Sequence, residues 1–116
     1  SETIDALAGA DLAIDEKGMV AIVGPSGSGK STLLHIIGAM DRPTSGTVVV
    51  AGQNVNRLSQ AELTRFRRQT VGFVFQTFNL VPNLTALENV ALPMEFNGVP
   101  SADRLTRAKT LLDRFH

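Results

Sequence analysis

One stretch limits what this chain can become more than any other: Met19–Met40, MVAIVGPSGSGKSTLLHIIGAM. Met19–Val23 is a continuous apolar run of the kind buried on both faces of a parallel sheet. It leads straight into a glycine-rich turn. Past the turn, Leu33, Leu34, Ile36 and Ile37 fall on one side of a helix expected to open at Gly29 or Lys30. Strand, tight turn and helix in that order predict an α/β fold, with the turn at the carboxyl end of the strand, where such sheets present their ligand crevice.

Within that stretch, Gly24-Pro25-Ser26-Gly27-Ser28-Gly29-Lys30-Ser31 fits G-x-x-x-x-G-K-[ST], the phosphate-binding loop, in its required setting of apolar strand before and helix after. Gly24, Gly27 and Gly29 let the backbone turn tightly and aim several N–H groups at one anion, which side chains would obstruct. Those amides stand at the positive end of the next helix, so partial charge and unpaired donors both favour a polyphosphate. Lys30 is placed to reach the β- and γ-phosphates and the Ser31 hydroxyl to ligate Mg²⁺. Thr32 is a weaker candidate for the α-phosphate. The candidate binding residues are therefore Gly24, Pro25, Ser26, Gly27, Ser28, Gly29, Lys30, Ser31 and Thr32. A Gly/Ser-rich surface turn with a solvated lysine would share this composition, but not the flanking strand and helix.

With 116 residues and 43% hydrophobic content, the chain suffices for one modest core and is too short for two domains. Eleven basic and eleven acidic residues leave no net charge, which argues against an extended nucleic-acid footprint. A mononucleotide needs only a local positive site. The absence of cysteine excludes disulfides and cysteine-ligated zinc. No apolar run reaches the length of about 18 residues that a membrane span needs. The opening SETIDALAGADLAIDEKG lacks the basic and apolar regions of a secretion signal. A soluble chain is expected, with any membrane role supplied through a partner.

Along the rest of the chain, Ile4–Leu7 and Ala10–Ile14 read as two short strands closing on the turn Asp15–Gly18. Asp41-Arg42-Pro43-Thr44-Ser45-Gly46 is expected to end the helix after the loop. Thr47–Ala51 is a β-branched strand followed by Gly52, with a shorter strand near Asn54–Asn56, antiparallel to something local. Ser59-Gln60-Ala61-Glu62 is a capping box for a helix from Gln60 to about Gln69, whose Arg65, Arg67 and Arg68 read as a solvated basic helix end. Val71–Phe75 is a second buried-strand candidate, ending at Gln76 and followed by the loop Thr77–Leu84. At the carboxyl end of a strand beside the phosphate loop, Gln76 could reach Mg²⁺ or a water near the γ-phosphate. From spacing alone, a loop glutamine bonded to backbone is the preferred reading. Thr85-Ala86-Leu87-Glu88 is another capping box, for a helix Ala86–Phe96 that Pro93 should kink or interrupt and Asn97-Gly98 should stop. Ser101 is expected to cap a last helix, Ala102–Phe115, whose stripe Leu105, Ala108, Leu111, Leu112 and Phe115 needs a partner.

GPSGSGKST at Gly24–Thr32, DRPTSGTVVVAGQNV at Asp41–Val55 and RRQTVGFVFQTFNLVPNLTALENVALP at Arg67–Pro93, in this order, closely resemble ABC-transporter nucleotide-binding subunits, above all their macrolide-export and lipoprotein-release branch. The resemblance runs from about Ile4 to the end. It implies an α/β P-loop NTPase core, a partial parallel sheet with flanking helices, an antiparallel β edge and the start of an α-helical subdomain. One partial ATPase domain, 1–116, would then comprise the core with its β edge and Q-loop (1–84) and the start of the helical subdomain (85–116). The resemblance assigns Gly24–Thr32 to the phosphate-binding loop. It makes Gln76 the Q-loop glutamine that contacts Mg²⁺ and senses the γ-phosphate, overriding the reading from spacing. Lys30 and Gln76 become the catalytic candidates and Ser31 and Gln76 the metal candidates. Asn79, Leu80 and Pro82 become candidate contacts to a membrane subunit, with a plain loop role equally open. The implied ligands are ATP and Mg²⁺; the implied partners are an integral membrane permease and a second nucleotide-binding domain in a homodimer, with no nucleic acid. The implied location is the cytoplasmic face of the membrane, held peripherally through the permease.

Departures from the family pattern matter as well. The sequence contains no LSGGQ signature, no apolar strand ending in Asp-Glu and no switch histidine, and His35 and His116 match no catalytic position. No Tyr or Trp is present to stack on adenine. The chain is thus expected to be an amino-terminal half that binds nucleotide with negligible turnover. Two other readings stay open: a non-catalytic interaction fragment, and a soluble ABC ATPase working without a permease.

Overall fold

The computed structural model describes residues 7–14 and 18–115, and the chain divides into two compact units, Ser1–Leu63 and Thr64–His116. Most of the expected strand Ile4–Leu7, most of the turn Asp15–Gly18, and His116 lie outside the described residues.

In the first unit, helix α1 spans Lys30–Ile37. It stops short of the expected Asp41–Gly46 signal. The Ala39 amide donates to Ile36 O at 3.0 Å and the Met40 amide to His35 O at 2.8 Å, a paired closure that satisfies the last carbonyls of the helix. That closure requires a left-handed residue, and Ala39 supplies it at φ 55. An alanine carries no sequence signal for that conformation, which glycine usually adopts.

Strands β1 (Val49–Val50) and β2 (Gln53–Asn54) pair antiparallel in the register Val49↔Asn54 and Val50↔Gln53. The two-residue turn between them, Ala51-Gly52, has positive φ at both positions, 48 and 74, the twist that suits a tight hairpin. The Asn56 side chain extends the ladder by accepting from the Val48 amide at 2.8 Å. The expected strand at Asn54–Asn56 instead turns into a 3₁₀ turn over Val55–Arg57, because Asn54 Oδ1 accepts from the Asn56 amide at 3.1 Å. Arg42 reaches across to this turn, donating to Leu58 O at 2.7 Å. The unit buries Ile36, Ala39, Val55 and Leu63.

The described residues form no parallel sheet, and their one sheet is this hairpin. The apolar runs at Ala10–Ile14, Met19–Val23 and Val71–Phe75 enter no ladder, and Met19, Val23 and Val74 are 100%, 91% and 100% exposed. A buried strand needs neighbours on both edges and cover on both faces. Within either unit the described residues supply neither.

Ser59 caps helix α2 (Gln60–Thr70) through the expected box: its amide donates to Glu62 Oε2 at 2.8 Å and its Oγ accepts from the Glu62 amide at 3.3 Å. In the second unit, the run Val71–Phe75 keeps a period of two, with Val71, Phe73 and Phe75 half-buried and Val74 outward. The rings of Phe73 and Phe75 stack at 5.5 Å. Helices α3 (Ala86–Phe96) and α4 (Ser101–Leu112) pack on each other, with Ala91 and Ala108 buried. Arg104 on α4 pairs with Glu95 on α3 at 3.0 Å. Helix α3 runs through Pro93 without interruption. The proline removes one backbone bond, a loss that packing on α4 can offset. Pro100, rather than Ser101, is the N-cap of α4, and that helix ends at Leu112, leaving Phe115 outside it and 87% exposed. Much of the stripe that lacked a partner in the sequence faces a helix that has one: Ala108 is fully covered and Leu111 and Leu112 are half-buried.

Candidate functional site

The glycine-rich loop closes as a tight turn in which the Ser28 amide donates to Pro25 O at 3.4 Å. Two of its glycines are left-handed, Gly27 at φ 78 and Gly29 at φ 85. Gly29 is the N-cap of α1 and offers no side chain, so the first-turn amides of the helix have no side-chain cap. A helix opening leaves several N–H groups without an intrahelical partner. Here they stay available to a ligand.

Lys30, the first residue of α1, folds back over this turn. Its Nζ donates to Pro25 O at 2.5 Å and to Ser28 Oγ at 3.3 Å. Among the described residues no carboxylate pairs with it. A Cβ added at Gly24 would come within 2.8 Å of Ser28 Oγ, so any other residue there requires the Ser28 side chain to turn aside. Ammonium, left-handed turn and uncapped helix start together present the positive charge and backbone donors that suit an anion. Ser26, Ser28 and Ser31 are exposed around it and Thr32 is half-buried in the first turn.

The structure thus brings together Gly24, Pro25, Gly27, Ser28, Gly29 and Lys30, with Ser31 next in the helix. Gln76 stands in the second unit, exposed, directly after the stacked Phe73 and Phe75. Among the described residues no group of three or more His, Asp or Glu side chains could hold a metal ion. Ser31 in the first unit and Gln76 in the second each carry a neutral oxygen, the donor type that a hard cation takes beside phosphate and water. His35 is exposed on α1 and its carbonyl serves the helix closure.

Asn79 and Leu80 line an open groove of about 800 Å³ in the second unit, together with Phe73, Phe75, Phe78 and Phe96; Pro82 is exposed nearby in sequence. Two polar residues escaped the sequence reading. Arg42 ties the chain after α1 to the 3₁₀ turn, and Asn89 on α3 bonds the backbone of the preceding loop. The available signal for Asn89 was its place four residues after the N-cap Thr85, polar among Leu87, Val90 and Ala91.

Residues 7–116 match the family described as ABC transporter. The chain belongs to that family. An "Uncharacterized ABC transporter ATP-binding protein" of Thermotoga maritima is 53% identical to this ABC transporter chain over 110 residues, 95% of the chain and 47% of the relative. The "Lipoprotein-releasing system ATP-binding protein LolD" of Geobacter metallireducens is 50% identical over 109 residues, 94% of the chain and 48% of the relative. The "Pyoverdine export ATP-binding/permease protein PvdT" of Pseudomonas fluorescens is 52% identical over 114 residues, 98% of the chain and 17% of that longer protein. The solved dimer of the ATP-binding cassette MJ0796 bound to ADP and Pi superposes with a TM-score of 0.71 at 51% identity, over 77% of this chain and 40% of that one. The fold is that of a P-loop ATPase cassette, as the sequence suggested. The ABC transporter chain spans about half the length of the first two relatives.

Proposed function

We propose that this chain forms the phosphate-gripping part of an ATP-binding ABC transporter subunit. In the whole protein, two nucleotide-binding domains pair and hydrolyse ATP to drive export, or lipoprotein or lipid extraction, through an integral membrane permease. The observation that carries this reading is the loop itself: Lys30 held on Pro25 O and Ser28 Oγ beside an uncapped helix start whose N-cap is a left-handed glycine. The printed names of the relatives, export for PvdT and lipoprotein release for LolD, support a role in export or in lipoprotein release.

In-line attack of water on the γ-phosphate needs a clamp of positive charge and donors, and a residue that orients the water. The amides from Gly27 to Ser31 bind the phosphates, Lys30 exchanges its loop oxygens for the β- and γ-phosphate oxygens, and Ser31 and Gln76 are the residues that would hold Mg²⁺. Such an ion would supply positive charge that offsets the charge of the phosphates. Residues 1–84 act as the nucleotide core and residues 85–116 begin the helical subdomain. Among the described residues no helix is long and apolar enough to cross a membrane; the names of the transporter relatives support attachment to the cytoplasmic face through the permease.

Lacking the signature and Asp-Glu motifs, these 116 residues bind Mg-ATP or ADP weakly and turn over ATP negligibly. Titration calorimetry of the chain with ATP and Mg²⁺ tests the reading. Saturable heat that Lys30→Ala removes is expected; heat indifferent to Lys30 would leave an interaction fragment as the better description.

A further inference from the structure

The loop that follows Gln76 is held to helix α3 by one side chain. Asn89 Oδ1 accepts from the Val81 amide at 2.8 Å, and Asn89 Nδ2 donates to Val81 O at 3.2 Å, Leu84 O at 3.0 Å and Thr85 O at 3.0 Å. Both backbone groups of Val81 are therefore engaged as a neighbouring strand would engage them. On the other side of Gln76, the stacked rings of Phe73 and Phe75 fix the chain immediately before it. Between Gln76 and Val81 lie Thr77, Phe78, Asn79 and Leu80, all exposed, tightened by a turn in which the Asn79 amide donates to Thr77 O and Asn79 takes φ 49.

We infer that Asn89 is a positioning residue for Gln76: it fixes the far foot of a short loop whose near foot carries the glutamine. A chain advances at most about 3.6 Å per residue, and a turn takes up part of that reach, so anchoring Val81 restricts where the Gln76 carboxamide can go. A carboxamide suits the task because it offers an acceptor and donors together; no other side chain of its length does both. One substitution releases all of these backbone groups at once. The inference rests on the assignment of Gln76 to the metal-bound nucleotide.

The test is the gain in ATP affinity that Mg²⁺ brings, measured by calorimetry on the 116-residue chain with and without the ion, together with hydrogen exchange at the Val81 amide. Asn89→Ala should speed exchange at Val81 and reduce the Mg²⁺-dependent gain by roughly fivefold or more, leaving metal-free ATP affinity unchanged. Gln76→Ala should reduce the gain as far, and the double variant no further, since the two act through one group. Asn89→Asp, which keeps the acceptor for Val81 and loses the donors, gives the same comparison if the alanine variant does not fold. An unaltered gain in the Asn89 variants beside a lost gain in Gln76→Ala overturns the inference and spares the proposed function. Additive losses in the double variant overturn it as well. If Gln76→Ala leaves the gain intact, the role of Gln76 fails and the inference falls with it.

Discussion

Lys30 donates its ammonium proton to the carbonyl oxygen of Pro25 at 2.5 Å, across the turn that its own helix springs from. With Ser28 Oγ as a second acceptor at 3.3 Å, the loop occupies its cation with its own oxygens. A polyphosphate offers stronger, charged acceptors to the same group. Ser28 contributes one of the contacts the ligand must replace. Ser28→Ala should therefore leave ATP affinity unchanged or raise it by up to about threefold, which calorimetry can read. A loss of tenfold would show Ser28 to be a ligand contact instead.

Gly24 permits this closure because a methyl group there would meet Ser28 Oγ at 2.8 Å. Gly24→Ala should weaken ATP binding by only about threefold and leave the melting temperature nearly unchanged, because the atom in the way is the end of an exposed side chain that can turn aside. Adding Ser28→Ala removes the atom in the way and should recover part of the loss, a non-additivity expected of neighbours.

The two helix ends differ in an instructive way. At the end of α3 the Gly98 amide donates to Glu95 O at 2.9 Å and the Val99 amide to Met94 O at 3.0 Å, with Gly98 at φ 75. At the end of α1 the same closure uses Ala39 at φ 55. A Cβ at Gly98 meets nothing within 4 Å, so only the left-handed backbone opposes it. Gly98→Ala should fold and lose about 1 kcal/mol of stability in urea titration. A loss of several kcal/mol would mean that the closure depends on more than backbone conformation.

Thr85 and Glu88 close a reciprocal box at the start of α3, with Thr85 N to Glu88 Oε2 at 2.8 Å and Thr85 Oγ1 to the same oxygen at 2.7 Å. The backbone bond from Thr85, and secondarily its hydroxyl, lower the Glu88 pKa. A lowered folded-state pKa means that this stabilisation is present above the ordinary glutamate value and is lost as pH falls through the folded one. Helix content of the chain should thus fall as pH drops from about 4.3 towards that lower pKa. In Glu88→Gln the part of this loss due to position 88 should disappear; an identical acid profile in both proteins would contradict the assignment.

Local chemistry was legible in the sequence. The Gly24–Ser31 motif, the boxes at Ser59/Glu62 and Thr85/Glu88, and the stop at Asn97-Gly98 each depend on residues within one turn of each other, and each stands where it was expected. What depends on distant partners was not. Met19–Val23 reads as a buried strand by composition, yet a ladder needs a neighbour that composition cannot supply, and none pairs with it among the described residues. The end of α1 was read too late because Ala39 does a glycine's work. The hold of Asn89 on Val81 was invisible because a single asparagine in a helix has no pattern.

The central claim, that the amides between Pro25 and Ser31 converge with Lys30 on a polyphosphate, is tested most directly by amide ¹H–¹⁵N NMR during titration of the chain with ATP and Mg²⁺. The account predicts saturable shifts concentrated at Gly27, Ser28, Gly29, Lys30 and Ser31 that vanish in Lys30→Ala. Shifts that spare these amides, or that persist undiminished without the Lys30 ammonium, would contradict it.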